Sequence, residues 1–432
     1  MYNFDNAIDR SGTNSEKWAK DTIKEVCGNE NAKPFWVADM DLQTSDAIKK
    51  AMCDAAEFGV IGYPHDAKTL ISAFTSFVKE RHGWDVDPNK VLYTQGLLHG
   101  IAISLQAFSE KGDNILIPTP TYRPFNVMVE RNERIIIPHK LGYKDGSFFL
   151  DREQYKKDSE RAKIILFCSP HNPSGLVFSK EDLLFVLNLA KERDQIVFCD
   201  EIHADLVHPS VKHYPIGMVN EEVGAKCITF MAPSKTFNVA GEHFGISIFS
   251  DITMADKVKK AQEALWLTSP GYFALEIGKA AYTSSMDHNR ELCAYLEQNK
   301  NFIATYLKEN IPNLTLTNGD ASFVCFIDCS AIYDIVKAKG FSDMSHFFGE
   351  YASLCFNDGA WFGDDYKSFI RFNYGTSLSE VKKALVAMKD AINTLKQEVQ
   401  MDEDTKKQSK KLSSLPKDFI HNITHWFKKN SR

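Results

Sequence analysis

Short, wholly apolar runs dominate the middle of this 432-residue chain: NILIP (114–118), RIIIP (134–138), KIILFC (163–168), QIVFC (195–199) and CITFMA (227–232). Their apolar residues are consecutive, not alternating, so the strands they form are expected to be buried on both faces. Between the third and fourth lies SKEDLLFVLNLAKERD (179–194), apolar at helical spacing, with Ser179 and Asp182 set as a capping box. Strand, helix, strand in this order requires right-handed crossovers and a mostly parallel sheet flanked by helices. The fold class is therefore α/β, with a large domain over 46–285.

The C-terminal third has a different texture. ASFVCFID (321–328) and KSFIRFNYG (367–375) read as strands of a smaller sheet, and LSEVKKALVAMKDAINTLKQEV (378–399) as a long amphipathic helix opened by Ser377 and Glu380. These predict a small α+β domain from both termini, residues 1–45 and 286–398. Residues 399–432 form a tail. Its DEDTKKQSKK run reads as charged and disordered, and PKDFIHNITHWFKKN as a short amphipathic helix. Docking of that helix on its own protein or a second copy is favoured over a membrane surface or another partner.

Composition excludes several functions. The 51 Lys+Arg and 57 Asp+Glu give a net charge of −6 with both signs interspersed, so no basic field for nucleic acid exists. No apolar run approaches the roughly 20 residues of a membrane span, and the polar start MYNFDNAIDR lacks a signal-peptide core. Nine cysteines, several inside strand runs, indicate reduced thiols and a cytoplasmic protein. There is no C-x-x-C, and His203 and His208 lack flanking ligands, so no metal is expected.

Ligands of such sheets bind beyond the carboxyl ends of the strands. The residues just past each run are Tyr122 in TPTYRPF, Asn172 in SPHNPSG, Asp200 directly after IVFC, and Lys235 in PSKTFN. Singly, each has an ordinary explanation: a solvated lysine, a turn, a helix cap. Together they suit pyridoxal 5'-phosphate. Its aldehyde needs a lysine, its ring nitrogen a carboxylate, its ring oxygen a donor and its flat face an aromatic. Its phosphate suits a helix N-terminus such as that of TQGLLHGIAISLQAF (94–108), where Gly96 permits close approach.

With WVADMD (36–41), GYP (62–64), DEIHADL (200–206) and PSKTFNVAG (233–241) added, the sequence resembles fold-type I pyridoxal-phosphate enzymes of the aspartate aminotransferase superfamily. Within these it resembles the MalY/PatB-type carbon–sulfur β-lyases, over the chain to about residue 398. The resemblance implies a mixed seven-stranded sheet and assigns roles. Lys235 would be the Schiff-base lysine and base, with Asp200 on the ring nitrogen, Asn172 on the ring oxygen and Tyr122 stacked. Gly96, Leu97, Leu98 and Ser234 would take the phosphate, with Tyr63 reaching it from the other subunit of a homodimer. His203 stands where aminotransferases often carry tyrosine, which is lyase-like. Ala232 replaces a common phosphate-binding serine, and GEHFG (241–245) lacks the usual arginine.

Arg371, in FIRFNYG, aligns with the arginine that grips the substrate α-carboxylate. Trp36 either lines the substrate pocket or packs in the core. The implied reaction is β-elimination from cystathionine or a related cysteine S-conjugate, yielding pyruvate, ammonia and a thiol. An aminotransferase on the same scaffold is the alternative, and a moonlighting regulator the third reading. The identity of the S-conjugate is not legible.

Overall fold

The computed structural model describes residues 2–6 and 8–413. Thirteen strands matter here. They are β1 (Lys33–Pro34), β2 (Val91–Thr94), β3 (Asn114–Thr119), β4 (Ile135–Lys140), β5 (Ile164–Cys168), β6 (Ile196–Asp200), β7 (Lys226–Met231) and β8 (Gly245–Phe249), then β9 (Thr315–Leu316), β10 (Val324–Asp328), β11 (Leu354–Cys355), β12 (Asn357–Asp358) and β13 (Phe369–Asn373). The helices that bear on the site are α1 (Lys20–Cys27), α2 (Leu97–Phe108), α3 (Arg123–Arg131), α4 (Lys180–Glu192), α5 (Pro233–Thr236), α6 (Met286–Asn310), α7 (Met344–Ala352) and α8 (Leu378–Ser413).

The main sheet has seven strands in the order β2-β8-β7-β6-β5-β3-β4. β4, β3, β5, β6 and β7 are mutually parallel, and β8 runs antiparallel to both β7 and β2. β2 therefore points the same way as the parallel strands and ends on the same rim. Every residue of β5, β6 and β8 is buried, as apolar runs require when helices cover both faces. β4 departs from that expectation: it is the sheet edge, and Ile135 is 54% exposed. The predicted helix start is present, with Ser179 Oγ accepting from the Asp182 amide at 3.1 Å.

A second sheet, β9-β10-β13-β12, packs its apolar residues with those of α6, α7 and α8. β1 pairs in parallel with β11, which binds the N-terminal segment to this part of the chain. α8 corrects the expectation of disorder after residue 400, since the DEDTKKQSKK run continues the helix. Lys339 reaches both Glu398 and Asp402, at 3.3 and 2.8 Å, and Gln400 bonds Asp404 one turn on. The charges are spaced to pair along a helix and onto its neighbour, so the run need not be solvated coil. The predicted amphipathic segment in PKDFIHNITHWFKKN lies outside the described residues. Among those described, no helix is long and apolar enough to cross a membrane.

Candidate active site

All of the strand-end residues gather along one rim. β6 delivers Asp200, 4% exposed, whose Oδ1 accepts the Ile202 amide at 2.9 Å; no protein donor reaches its other oxygen among the described residues. Burial pushes its carboxyl up to about 7, the neighbouring Glu201 adding and Lys235 opposing. Beyond β7, α5 presents Lys235, whose Nζ donates to the Ala38 carbonyl at 2.7 Å. Burial draws this amine down to about 8, helped by Arg371 and resisted by Asp39 and Asp200. A lysine so placed is substantially neutral near pH 8, hence both nucleophile and base.

The strap 36–42 that carries Ala38 is fastened from two sides. Asn238, just past α5 and in left-handed backbone (φ 55), accepts from the Met40 amide and donates to the Met40 and Leu42 carbonyls. Asn373, on β13, donates to the Val37 and Asp39 carbonyls. Arg10 grips Asp39 through two 2.8 Å bonds. Neither asparagine stood out in the sequence; a fully used amide is visible only once its partners are placed.

Arg371, on β13, is fully enclosed. Its guanidinium donates to Asn357 Oδ1 (3.1 and 2.6 Å), the Trp36 carbonyl (2.8 Å) and Asn172 Oδ1 (3.2 Å), and lies 5.0 Å from the Phe362 ring. All of these acceptors are neutral, and among the described residues no carboxylate pairs with it. Burial lowers it to about 10, so the cation is held at a cost that an incoming anion would relieve. Asn357, the main seat of this arginine, also went unread in the sequence: it is the cross-strand partner of Arg371.

The remaining candidates separate into groups. Tyr122 caps the start of α3 beside Phe125, and burial raises its phenol. His203 is buried with Nδ1 unpartnered, and burial with the charges of Lys235 and Arg371 holds it near 3, hence neutral. Gly96, at φ 106, begins α2, so the Leu97 and Leu98 amides have no intrahelical acceptor. A Cβ on Gly245 would stand 3.0 Å from the Leu97 nitrogen, so glycine there keeps this helix end open. Ser234 precedes Lys235 on α5, and Ala232 caps that helix.

Trp36 packs its indole in a buried cluster with Ile23, Val26 and Cys355, its Nε1 bonded to the Lys17 carbonyl at 3.0 Å. It meets the site through its own carbonyl. Tyr63 is wholly exposed within the single chain.

A half-buried lysine and a buried carboxylate on one rim of a mixed seven-stranded sheet, with a buried arginine from the second sheet, define a class of α/β enzyme. The chain belongs to the aminotransferase class I and II family, which it matches over residues 36–388. It is 33% identical over 398 residues to cystathionine beta-lyase PatB of Bacillus subtilis, covering 90% of this chain and all of that one. Protein MalY of Escherichia coli is 25% identical over 402 residues, covering 92% and 100%. Among solved structures, cystalysin from Treponema denticola, which contains a pyridoxal 5'-phosphate cofactor, superposes with a TM-score of 0.84 at 26% identity over 91% of this chain and all of that one. The PLP-bound C-S lyase from Staphylococcus hominis gives 0.83 at 26% identity over 90% and 98%.

Proposed function

We propose that this protein is a pyridoxal-phosphate-dependent β-lyase that cleaves the carbon–sulfur bond of cystathionine or related cysteine S-conjugates to pyruvate, ammonia and a thiol. The observation that carries the substrate class is Arg371, a buried cation with only neutral partners among the described residues, which a substrate carboxylate completes. The residues fit the cofactor as well. One Asp200 oxygen has no protein donor among the described residues, His203 has a spare ring nitrogen, and the α2 N-terminus is held open by Gly245. Lys235 would hold the cofactor, Asp200 its ring nitrogen, and Asn172 and His203 its ring oxygen. Tyr122 would hold its face, and Gly96, Leu97, Leu98 and Ser234 its phosphate.

When bound, pyridoxal phosphate supplies an aldehyde that takes up the substrate amine and a protonated ring that accepts the electron pair left at Cα. The chain supplies the rest. Arg371 fixes the carboxylate in a planar, two-point grip that sets which Cα bond faces the cofactor. Lys235, already lowered by burial, takes the Cα proton as base, and the Ala38 carbonyl orients its amine. Asp200 keeps its negative charge against the ring nitrogen, and the enclosing walls strengthen that pairing. The relatives named as β-lyases favour loss of the β-thiol over transamination.

The deciding experiment is pyruvate release from L-cystathionine with cofactor and no keto-acid acceptor. Sustained release over many turnovers supports the lyase. No release, with one shift of the visible spectrum, would make the protein an aminotransferase. Arg371→Lys should raise KM for the amino acid roughly 10–100-fold with a smaller change in kcat, because lysine cannot make the forked contact. Initial rates against substrate concentration check this.

The working form we propose is a cytoplasmic homodimer. Tyr63 and Trp266 are almost fully exposed, with Phe58, Val60, Ile61 and Leu265 more than half exposed beside them. The helices that these segments border, Asp46–Phe58 and Tyr272–Ser284, pack on each other. Apolar surface of this kind calls for a partner, and a second copy would bring Tyr63 to the neighbouring phosphate site. Trp266→Asp should shift the sedimenting species toward half the wild-type mass. Tyr63→Phe should weaken cofactor binding by about tenfold or more without changing that mass, through loss of one bond to a charged group.

A further inference from the structure

We propose that Asp205 and Thr236 are positioning residues for Lys235: the carboxylate holds the Thr236 hydroxyl, and through it the single helical turn that presents the amine. The proposal rests on the role of Lys235 given above. Asp205 is 4% exposed and Thr236 fully buried, so both act through the lysine and not on the substrate.

The turn needs holding. α5 has four residues, too few to be stable alone, because fixing a first helical turn costs more backbone freedom than its hydrogen bonds return. Its backbone bonds run from the amides of Phe237, Asn238 and Val239 to the carbonyls of Pro233, Lys235 and Ser234, at 2.9, 3.4 and 3.0 Å. Side chains on either side of the lysine supply the rest. Asn238 ties the turn to the strap at Met40 and Leu42, and Thr236 Oγ1 donates to Asp205 Oδ2 at 3.2 Å. The second of these bonds is anchored one residue from the amine-bearing Cα.

Asp205 is itself fixed at all three of its oxygens. It lies in the short turn Ala204–Leu206 that follows β6. His82 Nε2 stands 2.8 Å from its Oδ1, with both side chains 6% exposed or less. Its backbone carbonyl accepts from Arg81 at 3.3 Å and from Asn289 of α6 at 2.8 Å. Arg81 and His82 end the helix Lys68–His82, so three elements converge on one residue. Burial opposes the charge, but the bonds and charges of His82, Arg81 and Thr236 outweigh it and hold the carboxyl below its ordinary range.

The same block reaches the other side of the site. The His82 ring stands edge-on to that of His213 at 5.9 Å, and His213 Nε2 lies 2.9 Å from Glu201, the neighbour of Asp200. Glu201 also accepts the Ile216 amide at 2.6 Å. Paired acids and imidazoles thus back both Asp200 and Lys235. For the lysine this matters because attack on an aldehyde needs reacting atoms about 3–3.5 Å apart and aligned. Contacts to a phosphate or a ring face tolerate a small shift of α5; capture by the amine does not.

The test compares two forms of the cofactor on the full-length apoprotein, without turnover. Lys235 can capture pyridoxal phosphate covalently, whereas pyridoxamine phosphate has no aldehyde and uses only the rest of the site. Dissociation constants are read from tryptophan fluorescence, and capture from the growth of visible absorbance. Thr236→Val keeps the shape and removes the donor; it should weaken pyridoxal phosphate about tenfold, slow capture by a similar factor, and leave pyridoxamine phosphate within about twofold. Thr236→Ser restores the donor and should return both readings to wild type. Asp205→Ala should act as Thr236→Val does, and if it does not fold the two Thr236 variants decide. Both ligands weakened alike would make the bond merely structural, and neither weakened would make it idle; either result overturns the proposal alone. Wild type that binds the two forms equally and shows no capture would remove Lys235 as the anchor, and this proposal with it.

Discussion

Replacing Lys235 by alanine is expected to lower kcat by more than about 10³-fold and to remove the visible absorbance of covalently held cofactor. A positioned base alone typically contributes about 10²–10⁴-fold, and the same amine is the covalent anchor. Its setting makes the loss specific. Among the described residues Nζ has one protein acceptor, the Ala38 carbonyl, on a strap fixed by Asn238 and Asn373, so truncation leaves the surrounding backbone bonds in place. Removing a half-buried amine whose charged form burial disfavours should leave the apoprotein's melting temperature nearly unchanged. A small primary amine such as methylamine should restore part of the rate, since it can enter the space left and take the proton. Normal turnover with absorbance retained would remove Lys235 from the mechanism.

The rim of the main sheet was legible for a physical reason: strands buried on both faces are written as continuous apolar runs, and the residues just past each run sit at the ligand-binding end. Tyr122, Asn172, Asp200 and Lys235 were read in that way and lie along one rim. β2 and β8 escaped notice, because VLYT and GISIF are short, and each sits between antiparallel neighbours or at the edge with no helix–strand rhythm to announce it. Arg371 was found by resemblance, but its seat was not. Asn357 faces it through strand register across 14 residues, and Asn172 comes from a different sheet. Such contacts are properties of the folded arrangement, and no local pattern encodes them. The charged run after residue 400 shows the converse error. Judged by composition it resembles coil; judged by spacing, Lys339 with Glu398 and Asp402 makes it a helix that docks.

Asp200→Asn should lower kcat roughly 10²–10³-fold, the size of effect seen when one preorganised electrostatic partner of a developing charge is lost. The amide keeps the shape and can still accept the Ile202 bond, so the loss reports charge and not packing. The same substitution has a signature in the apoprotein that no catalytic assay is needed to read. Burial raises the folded carboxyl from an ordinary 3.8 to about 7, so between those values the folded state binds more protons than the unfolded one. Its contribution to stability is therefore fully present below about pH 4 and is lost as pH rises through 7. Buried histidines oppose this trend: His171 and His203, lowered by burial to about 4 and 3, favour the folded state as pH rises toward 6.5. The clean quantity is thus the difference in melting temperature between wild-type and Asp200→Asn apoproteins. Wild type should lose ground relative to the variant from pH 5 to pH 8, and adding cofactor should reverse the order by giving the carboxylate a positive partner. A difference that stays flat across this range would mean that Asp200 is already ionised in the empty fold, and a rate within about threefold of wild type would deny it the ring-nitrogen role.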